Sequence, residues 1–455
     1  MALNALSVLV LAAGKGTRMR SERPKVLHEV ARRSLLHHVL ATAMALEPQE
    51  IAVVVGPGME EVSAAARKIS PDVKIAVQEQ QLGTGDAVKS ALPKLTTRSR
   101  DVLVLYGDCP LIRAETIRSM ADAREAGAGI VVLGFRPNDA ARYGRLVTKS
   151  GLEVEKIVEF EDASPQERAI GFCNSGIFLI DGERVAALVG AIKDNNAKRE
   201  YYLTDIVEIG RGMGLKTVAV EGDPEEVLGI NSRAELAAAE AVFQARARAA
   251  ALDGGVTMID PSTVYFAADT KLGRDVVIQP HCVFGPGVTV EDDVRIEGFC
   301  HFEGAHIKRG GRIGPFARLR PGAALAEDVH IGNFVEIKNA IVDAGAKINH
   351  LSYIGDAHVG TKTNVGAGTI TSNYDGFDKH FTDIGAGVFV GSHTSLVAPV
   401  KVGDGAYIGS ASVVVKDVPP DALVFTRAEL VEKPGWAARF RARKVAAKQK
   451  SKEEK

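Results

Sequence analysis

From Leu272 onward an apolar residue returns every six positions: Leu272, Ile278, Phe284, Val290, Ile296 and Phe302. After a one-residue slip the series resumes at Ile307, Ile313, Leu319, Leu325, Ile331 and Ile337, then at Val342, Ile348 and Ile354, and again at Ile384, Val390, Leu396, Val402, Ile408 and Val414. Small or turn-forming residues commonly follow, as in "IG", "VG" and "LG". A period of six fits neither an amphipathic helix nor an ordinary strand. It fits a parallel β-helix, in which three six-residue sides close one triangular coil and the inward aliphatics stack coil upon coil. One segment breaks the register: Thr369 to Asp383, "TITSNYDGFDKHFTD", is polar and carries aromatics. Insertions in a solenoid are loops on one face, often the binding face.

The first half has a different grammar. "LSVLVL", "IAVVVG", "KIAVQ", "DVLVLYGD" and "GIVVLGF" are short runs rich in Val and Ile, separated by segments of helical spacing such as Leu35 to Leu46. That alternation predicts a doubly wound α/β domain with parallel strands covered on both faces. The expected architecture is a Rossmann-like domain over residues 1–231, a linker helix over 232–252 opened by a capping box of Ser232 and Glu235, a β-helix over 253–436, and a basic tail over 437–455. With little apolar periodicity, the tail is expected to be disordered and solvated, with weak polyanion affinity as the alternative.

A chain of 455 residues with 56 basic and 57 acidic side chains carries no global field that calls for nucleic acid. The four cysteines, Cys109, Cys173, Cys282 and Cys300, form no CxxC pair and are expected to be reduced and structural, as in a cytoplasmic protein. The apolar N-terminus lacks a basic n-region and reads as a first strand, not a signal peptide, and no apolar run is long enough to span a membrane.

At the end of that first strand stands "VLAAGKGTRM", Val10 to Met19. It lacks the third glycine of a dinucleotide fingerprint, and the GxxxxGK[ST] of a P-loop is absent. What remains is a glycine turn whose N–H groups can surround phosphate oxygens, with Arg18 and Lys25 adding charge. "QEQQLGTGDA" (Gln78 to Ala87) offers a second polar loop suited to a base edge, and "YGDCPL" puts Asp108 just past a strand end, where a carboxylate could hold a divalent cation or cap a helix.

These motifs, followed by "YGR" at Tyr143 to Arg145, "IVEF" around Glu159, "NSG" at Asn174 to Gly176 and "GINSR" at Gly229 to Arg233, occur in the order found in sugar-phosphate nucleotidyltransferases. With the hexapeptide half included, residues 5–436 closely resemble the bacterial family of bifunctional N-acetylglucosamine-1-phosphate uridyltransferase / glucosamine-1-phosphate N-acetyltransferase enzymes, whose β-helix is left-handed. The resemblance implies that glucosamine-1-phosphate is acetylated from acetyl-CoA and that its product then attacks UTP, releasing pyrophosphate. It implies Mg²⁺ on Asp108 and Asn231, and Arg18 and Lys25 on phosphates. Leu11, Ala12, Ala13, Gly14, Gln78, Gly83, Thr84, Tyr106 and Gly107 would surround the nucleotide, and Gly144, Glu159 and Asn174 the sugar.

For acetyl transfer the resemblance selects His350 as general base among many histidines. Arg320, Lys338, Tyr353 and Asn364 would bind the sugar phosphate, and Asn373 and Tyr374 would meet sugar or acetyl-CoA. Ala367, Ser392, Ser410 (through its backbone) and Arg427 would bind acetyl-CoA. The resemblance also implies a homotrimer, because outward-facing residues on one convex solenoid need a neighbour to enclose a ligand. Two competing readings are a single-activity nucleotidyltransferase and a nucleotide-sensing scaffold. The first has no use for His350, Lys338 and the "NYDG" loop together; the second would be expected to lose Lys25 or Asp108.

Overall fold

The computed structural model describes residues 5–96, 99–140, 143–149, 151–426 and 429–453. The chain divides into two compact units, Met1–Asp253 with Tyr265–Thr270, and Gly254–Val264 with Lys271–Lys455.

The first unit is built on a nine-stranded sheet. Its main path runs Thr217–Glu221, Ile130–Phe135, Cys173–Asp181, Asp101–Tyr106, Leu6–Leu11, Glu50–Val55, Lys74–Val77, and the strands Arg145–Thr148 and Val154–Val158 form an added hairpin. All five runs of Val and Ile read from the sequence are strands of this path. Alternation along them feeds two cores: Val8, Val10, Leu103 and Leu105 pack on one face, Leu9, Leu11, Val102 and Val104 on the other. The sheet is not wholly parallel, because Cys173–Asp181 runs antiparallel to both neighbours. Leu6–Leu11 has the next strands in sequence, Glu50–Val55 and Lys74–Val77, on one side and Asp101–Tyr106 on the other. The order reverses there, so a crevice opens beyond the carboxyl ends of Leu11 and Tyr106.

The helix Arg233–Asp253 begins at the expected cap: Ser232 Oγ accepts from the Glu235 N–H at 3.3 Å. The Glu235 carboxylate, however, reaches the Asn231 N–H at 2.7 Å, one residue further back than in a standard box. The helix packs within the first unit, where buried Gln244 exchanges two hydrogen bonds with the Phe266 backbone.

In the second unit successive coils lie in parallel register. Val277 pairs with Arg295, Arg295 with Arg312, Arg312 with His330 and His330 with Lys347, so each coil takes 17 or 18 residues, three hexapeptides. The step from Asn364 to Phe389 is 25 residues, and the excess is the loop that breaks the sequence register. Every residue of the four apolar series except Leu272 is at most 3% exposed. Burial of each such side chain is worth about 1.5–3 kcal/mol, and their stacking is what holds the coils together. One inner corner position is filled in turn by Cys282, Cys300, Ala317, Val335, Ser352, Thr369, Thr394 and Ser412, all buried. The hydroxyls of Thr369, Thr394 and Ser412 satisfy themselves on the carbonyls of Gly366, Gly391 and Gly409. All four cysteines are free and buried.

Trp436–Glu453 forms a helix, where the sequence reading expects a disordered tail. Ala, Arg, Lys, Gln and Glu are good helix formers in any environment, so propensity shapes this segment without an apolar stripe. No helix among the described residues is long and apolar enough to cross a membrane.

Between coils, His358 bridges Asp343 at 2.8 Å and Asp383 at 2.9 Å. Burial lowers its pKa, but the two carboxylates outweigh burial and raise it above 6.5. A raised histidine stabilises fully below about 6.5 and loses that contribution as pH climbs through the folded value. The unfolding midpoint of this unit should therefore fall as pH rises from about 6 to 8, and His358→Gln should flatten that fall in a thermal melt series.

Candidate functional site

The crevice at the reversal point is a cleft of about 610 Å³. Leu11, Ala12, Ala13, Gly14, Lys25, Gln78, Gly83, Thr84, Tyr106, Asp108, Gly144, Glu159 and Asn174 all line it, so most of the residues expected at the nucleotide and sugar come together. The glycine turn is required by contact: at Gly16, with φ of 63°, a Cβ would stand 2.5 Å from the Lys25 Cβ. Gly83 has φ of 112° and lies against the Tyr201 backbone, where a Cβ would approach the carbonyl oxygen to 2.7 Å. Gln78 is buried, and its NH₂ group braces the second loop by donating to the Gly83 carbonyl at 2.9 Å and to Asp86 at 2.8 Å. Gly107 is absent from the lining but ties the two strand ends together through its N–H to the Leu11 carbonyl at 2.9 Å. Arg18 is exposed on the turn Thr17–Met19, away from the lining.

At the mouth of the two central strands three side chains converge. Lys25 Nζ donates to Asp108 Oδ2 at 2.5 Å and to Asn231 Oδ1 at 3.0 Å. The Ile230 N–H donates to the Asp108 carbonyl at 3.0 Å, which fixes the two segments against each other, and the Asn231 amide NH₂ turns back to the Gly229 carbonyl at 3.3 Å, aiming Oδ1 at the lysine. Two hard oxygens thus meet at a point already occupied by positive charge. That fits a small divalent cation, which is commonly held by one or two protein oxygens and completed by phosphates and water.

The far wall is acidic. Glu159 accepts from Thr204 Oγ1 at 3.3 Å, and burial raises its pKa. Next to Thr204, Asp205 is pushed up to about 6, first by burial and then by Glu208, Glu159 and Asp162. A carboxyl whose folded value exceeds its ordinary 3.8 gives its stabilisation below about pH 4 and loses it as pH rises through 6. Asp205→Asn should therefore raise the melting midpoint of the first unit at pH 7.5, by about 1–3 kcal/mol, and abolish the decline between pH 4 and 6.

In the second unit the register assembles another constellation. Ile331, Ile348, Val365, Val390 and Ile408 stack in successive coils, so the residues two places on, Asn333, His350, Ala367, Ser392 and Ser410, form one column along a corner. His350 Nδ1 lies 2.6 Å from Asn333 Oδ1. With the proton on Nδ1 and donated to the amide oxygen, Nε2 keeps its lone pair. On the side that follows this corner, Arg320 and Lys338 stand one above the other, each following a paired core residue, Leu319 and Ile337. Arg320 is held by Glu336 at 2.8 Å, and Tyr353 pairs in register with Glu336. Asn364 pairs with Lys347 a coil below. Asn373 is buried, with its NH₂ given to Asp356, and so anchors the inserted loop; Tyr374 is exposed on it, its hydroxyl donating to the Gly376 carbonyl at 2.6 Å. Arg427 lies outside the described residues.

Residues 8–161 match the family of the MobA-like NTP transferase domain. Among solved structures, a UDP-glucose pyrophosphorylase complexed with UDP-glucose covers 53% of this chain and 98% of its own, at 14% identity and a TM-score of 0.43. The bifunctional protein GlmU of Paramagnetospirillum magneticum is 55% identical over 99% of this chain and 100% of its own, and that of Xanthobacter autotrophicus is 54% identical over 97% and 98%. The chain belongs to the GlmU family. It is a bifunctional enzyme, a uridyltransferase and an acetyltransferase.

The structure adds residues to both GlmU-type sites beyond those assigned from the sequence. Gln81 donates to the Ala13 carbonyl at 2.6 Å and ties the base loop to the glycine turn, and Lys198, Glu200, Tyr202 and Thr204 complete the cleft. They enter because the Leu203 N–H bonds Thr84 Oγ1 at 3.0 Å and the Tyr201 N–H bonds the Leu82 carbonyl, contacts across more than a hundred residues that leave no local pattern. In the second unit, Lys379 stands beside Lys338, whose ammonium lowers its pKa. Two adjacent ammoniums near Arg320 suit a dianionic phosphate, and Lys379 belongs to the inserted loop that breaks the sequence register.

Proposed function

We propose that the corner of the second unit acetylates glucosamine-1-phosphate from acetyl-CoA and that the cleft of the first unit then joins N-acetylglucosamine-1-phosphate to UTP-derived uridylate, releasing pyrophosphate. The observation that carries this reading is the presence, in one chain, of a base heading a column of small residues and of a separate cleft where Lys25, Asp108 and Asn231 converge.

In the acetyl step the sugar amine attacks the thioester carbonyl, His350 Nε2 takes the amine proton, and the tetrahedral oxyanion collapses by breaking the C–S bond and releasing the coenzyme thiolate. Asn333 holds the imidazole in the tautomer that can accept. Arg320, Lys338 and Lys379 hold the sugar phosphate, and Ala367, Ser392 and Ser410 leave a smooth edge along which the coenzyme's narrow chain can lie.

In the uridyl step a phosphate oxygen of the sugar displaces pyrophosphate from the α-phosphorus. Such a transfer depends on alignment and charge neutralisation more than on a covalent nucleophile. Asp108 and Asn231 would hold Mg²⁺, which supplies charge to the phosphates when bound. Lys25 and the backbone of Ala13 and Gly14 bind phosphate oxygens, Gln78, Gly83 and Thr84 place the base, and Glu159 and Asn174 orient the sugar.

We assign the active form to a homotrimer in the cytoplasm. Supporting it, one corner of the coils carries an exposed ladder in which His281, Phe299, Phe316 and Phe334 stack at centroid distances of 4.7–5.0 Å. Leu351, next to His350, is 62% exposed at the following rung. An apolar ridge of this kind continuous with a catalytic corner is what a neighbouring subunit would cover. The experiment is incubation with glucosamine-1-phosphate, acetyl-CoA, UTP and Mg²⁺, with mass detection of UDP-N-acetylglucosamine. Omitting acetyl-CoA should stop both products, and omitting UTP or Mg²⁺ should leave N-acetylglucosamine-1-phosphate; product without acetyl-CoA would overturn the order.

A further inference from the structure

We propose that Lys25 is a resident counter-ion which occupies the cation position of the first unit's cleft until a nucleotide draws it away, so that metal and nucleotide bind as coupled partners. This rests on the reading of Asp108 and Asn231 as the cation's ligands.

The ammonium stands at the single point on which both oxygens converge, 2.5 Å from Asp108 Oδ2 and 3.0 Å from Asn231 Oδ1. The Lys25 and Asp108 side chains are only 11% and 16% exposed, so the pair is poorly screened by water. A divalent ion that binds oxygen at about 2.0–2.1 Å cannot share that volume with an ammonium, and the like charges repel. The metal therefore needs Lys25 to leave, and Lys25 needs another anion to leave for.

The local fold allows that exchange without moving the backbone. Lys25 opens the short turn Lys25–Leu27 behind Pro24, and its Cβ is packed against Gly16 with no room for a larger residue there. The root of the side chain is thus pinned, and the rotatable bonds beyond it let the ammonium swing without a backbone shift. Ala13, Gly14 and Lys15 of the glycine turn line the same cleft as Lys25. A triphosphate seated on the turn offers the ammonium a new anion within reach of the same stem, and Asp108 and Asn231 are then released. By linkage, the factor by which nucleotide tightens metal binding equals the factor by which metal tightens nucleotide binding, and such couplings are about 5–150-fold.

The test is Mn²⁺ binding to the full-length protein without nucleotide, followed by the EPR signal of free Mn²⁺ and by the Mn²⁺-induced shift in melting midpoint. Lys25→Met and Lys25→Ala should bind Mn²⁺ about ten-fold more tightly than the unaltered protein and show the larger thermal shift, whereas Lys25→Arg, which keeps the charge, should remain weak. Equal or weaker Mn²⁺ binding by the Met and Ala variants would overturn the counter-ion role. Asp108→Asn separates the two layers: its loss of Mn²⁺ binding sustains the cation site, and retention of it would remove that site and the proposal together.

Discussion

His350→Ala will lower acetyl transfer by on the order of 10²–10⁴-fold while leaving uridyl transfer from supplied N-acetylglucosamine-1-phosphate unchanged. The size follows from the role: without Nε2 no positioned group accepts the proton from the attacking amine, and the Asn333 amide loses the partner it holds at 2.6 Å. His350 is exposed at a corner and supports no core packing, so the fold should survive. Asn333→Ala should give a smaller loss of the same sign, because the imidazole remains but its tautomer is no longer fixed. Separate assays of the two steps on one preparation check both points. An unchanged acetylation rate in His350→Ala would remove it from the reaction.

Asp108→Ala will do the reverse, cutting uridyl transfer by on the order of 10²–10³-fold and sparing acetylation. The substitution removes one of the two oxygens at the convergence point and leaves Lys25 with only the Asn231 amide. It also removes the carboxylate that, after burial, raises the pKa of the neighbouring buried Cys109, so thiol labelling should quicken alongside the loss of activity. Because the strand Asp101–Tyr106 ends before Asp108 and stays paired on both sides, the sheet itself should hold.

Much of this was legible in the sequence because the signals were periodic or local. A side chain that must point inward once every third of a coil writes itself into the chain every six residues, and Ile278 to Phe302 or Ile384 to Val414 keep that beat without exception. The glycine turn directly follows the first strand and Asp108 stands two residues past the strand Asp101–Tyr106, so each could be read from its own short stretch before the sheet brought them to one cleft. What escaped was set at long range. The antiparallel strand Cys173–Asp181 begins with the polar "CNS" and is bulged between Asn174 and Phe178, so its alternation is masked by the residues that serve the cleft. Thr204 and Tyr202 reach the site only because their segment is zipped onto Leu82 to Gly85. The bond by which Asn373 braces the inserted loop on Asp356 likewise left no local pattern, because it depends on two coils being stacked. The helix Trp436–Glu453 shows the converse error: absence of an apolar stripe argues against packing, not against helical propensity.

The two sites, one on Asp108 and one on His350, should work independently of each other. Mixing the Asp108→Ala and His350→Ala proteins with glucosamine-1-phosphate, acetyl-CoA, UTP and Mg²⁺ tests it most directly. Each protein alone should make almost no UDP-N-acetylglucosamine, and the mixture should make it readily, because the acetylated sugar phosphate diffuses from the intact corner of one protein to the intact cleft of the other. A mixture no more productive than either folded variant alone would contradict the two-site account.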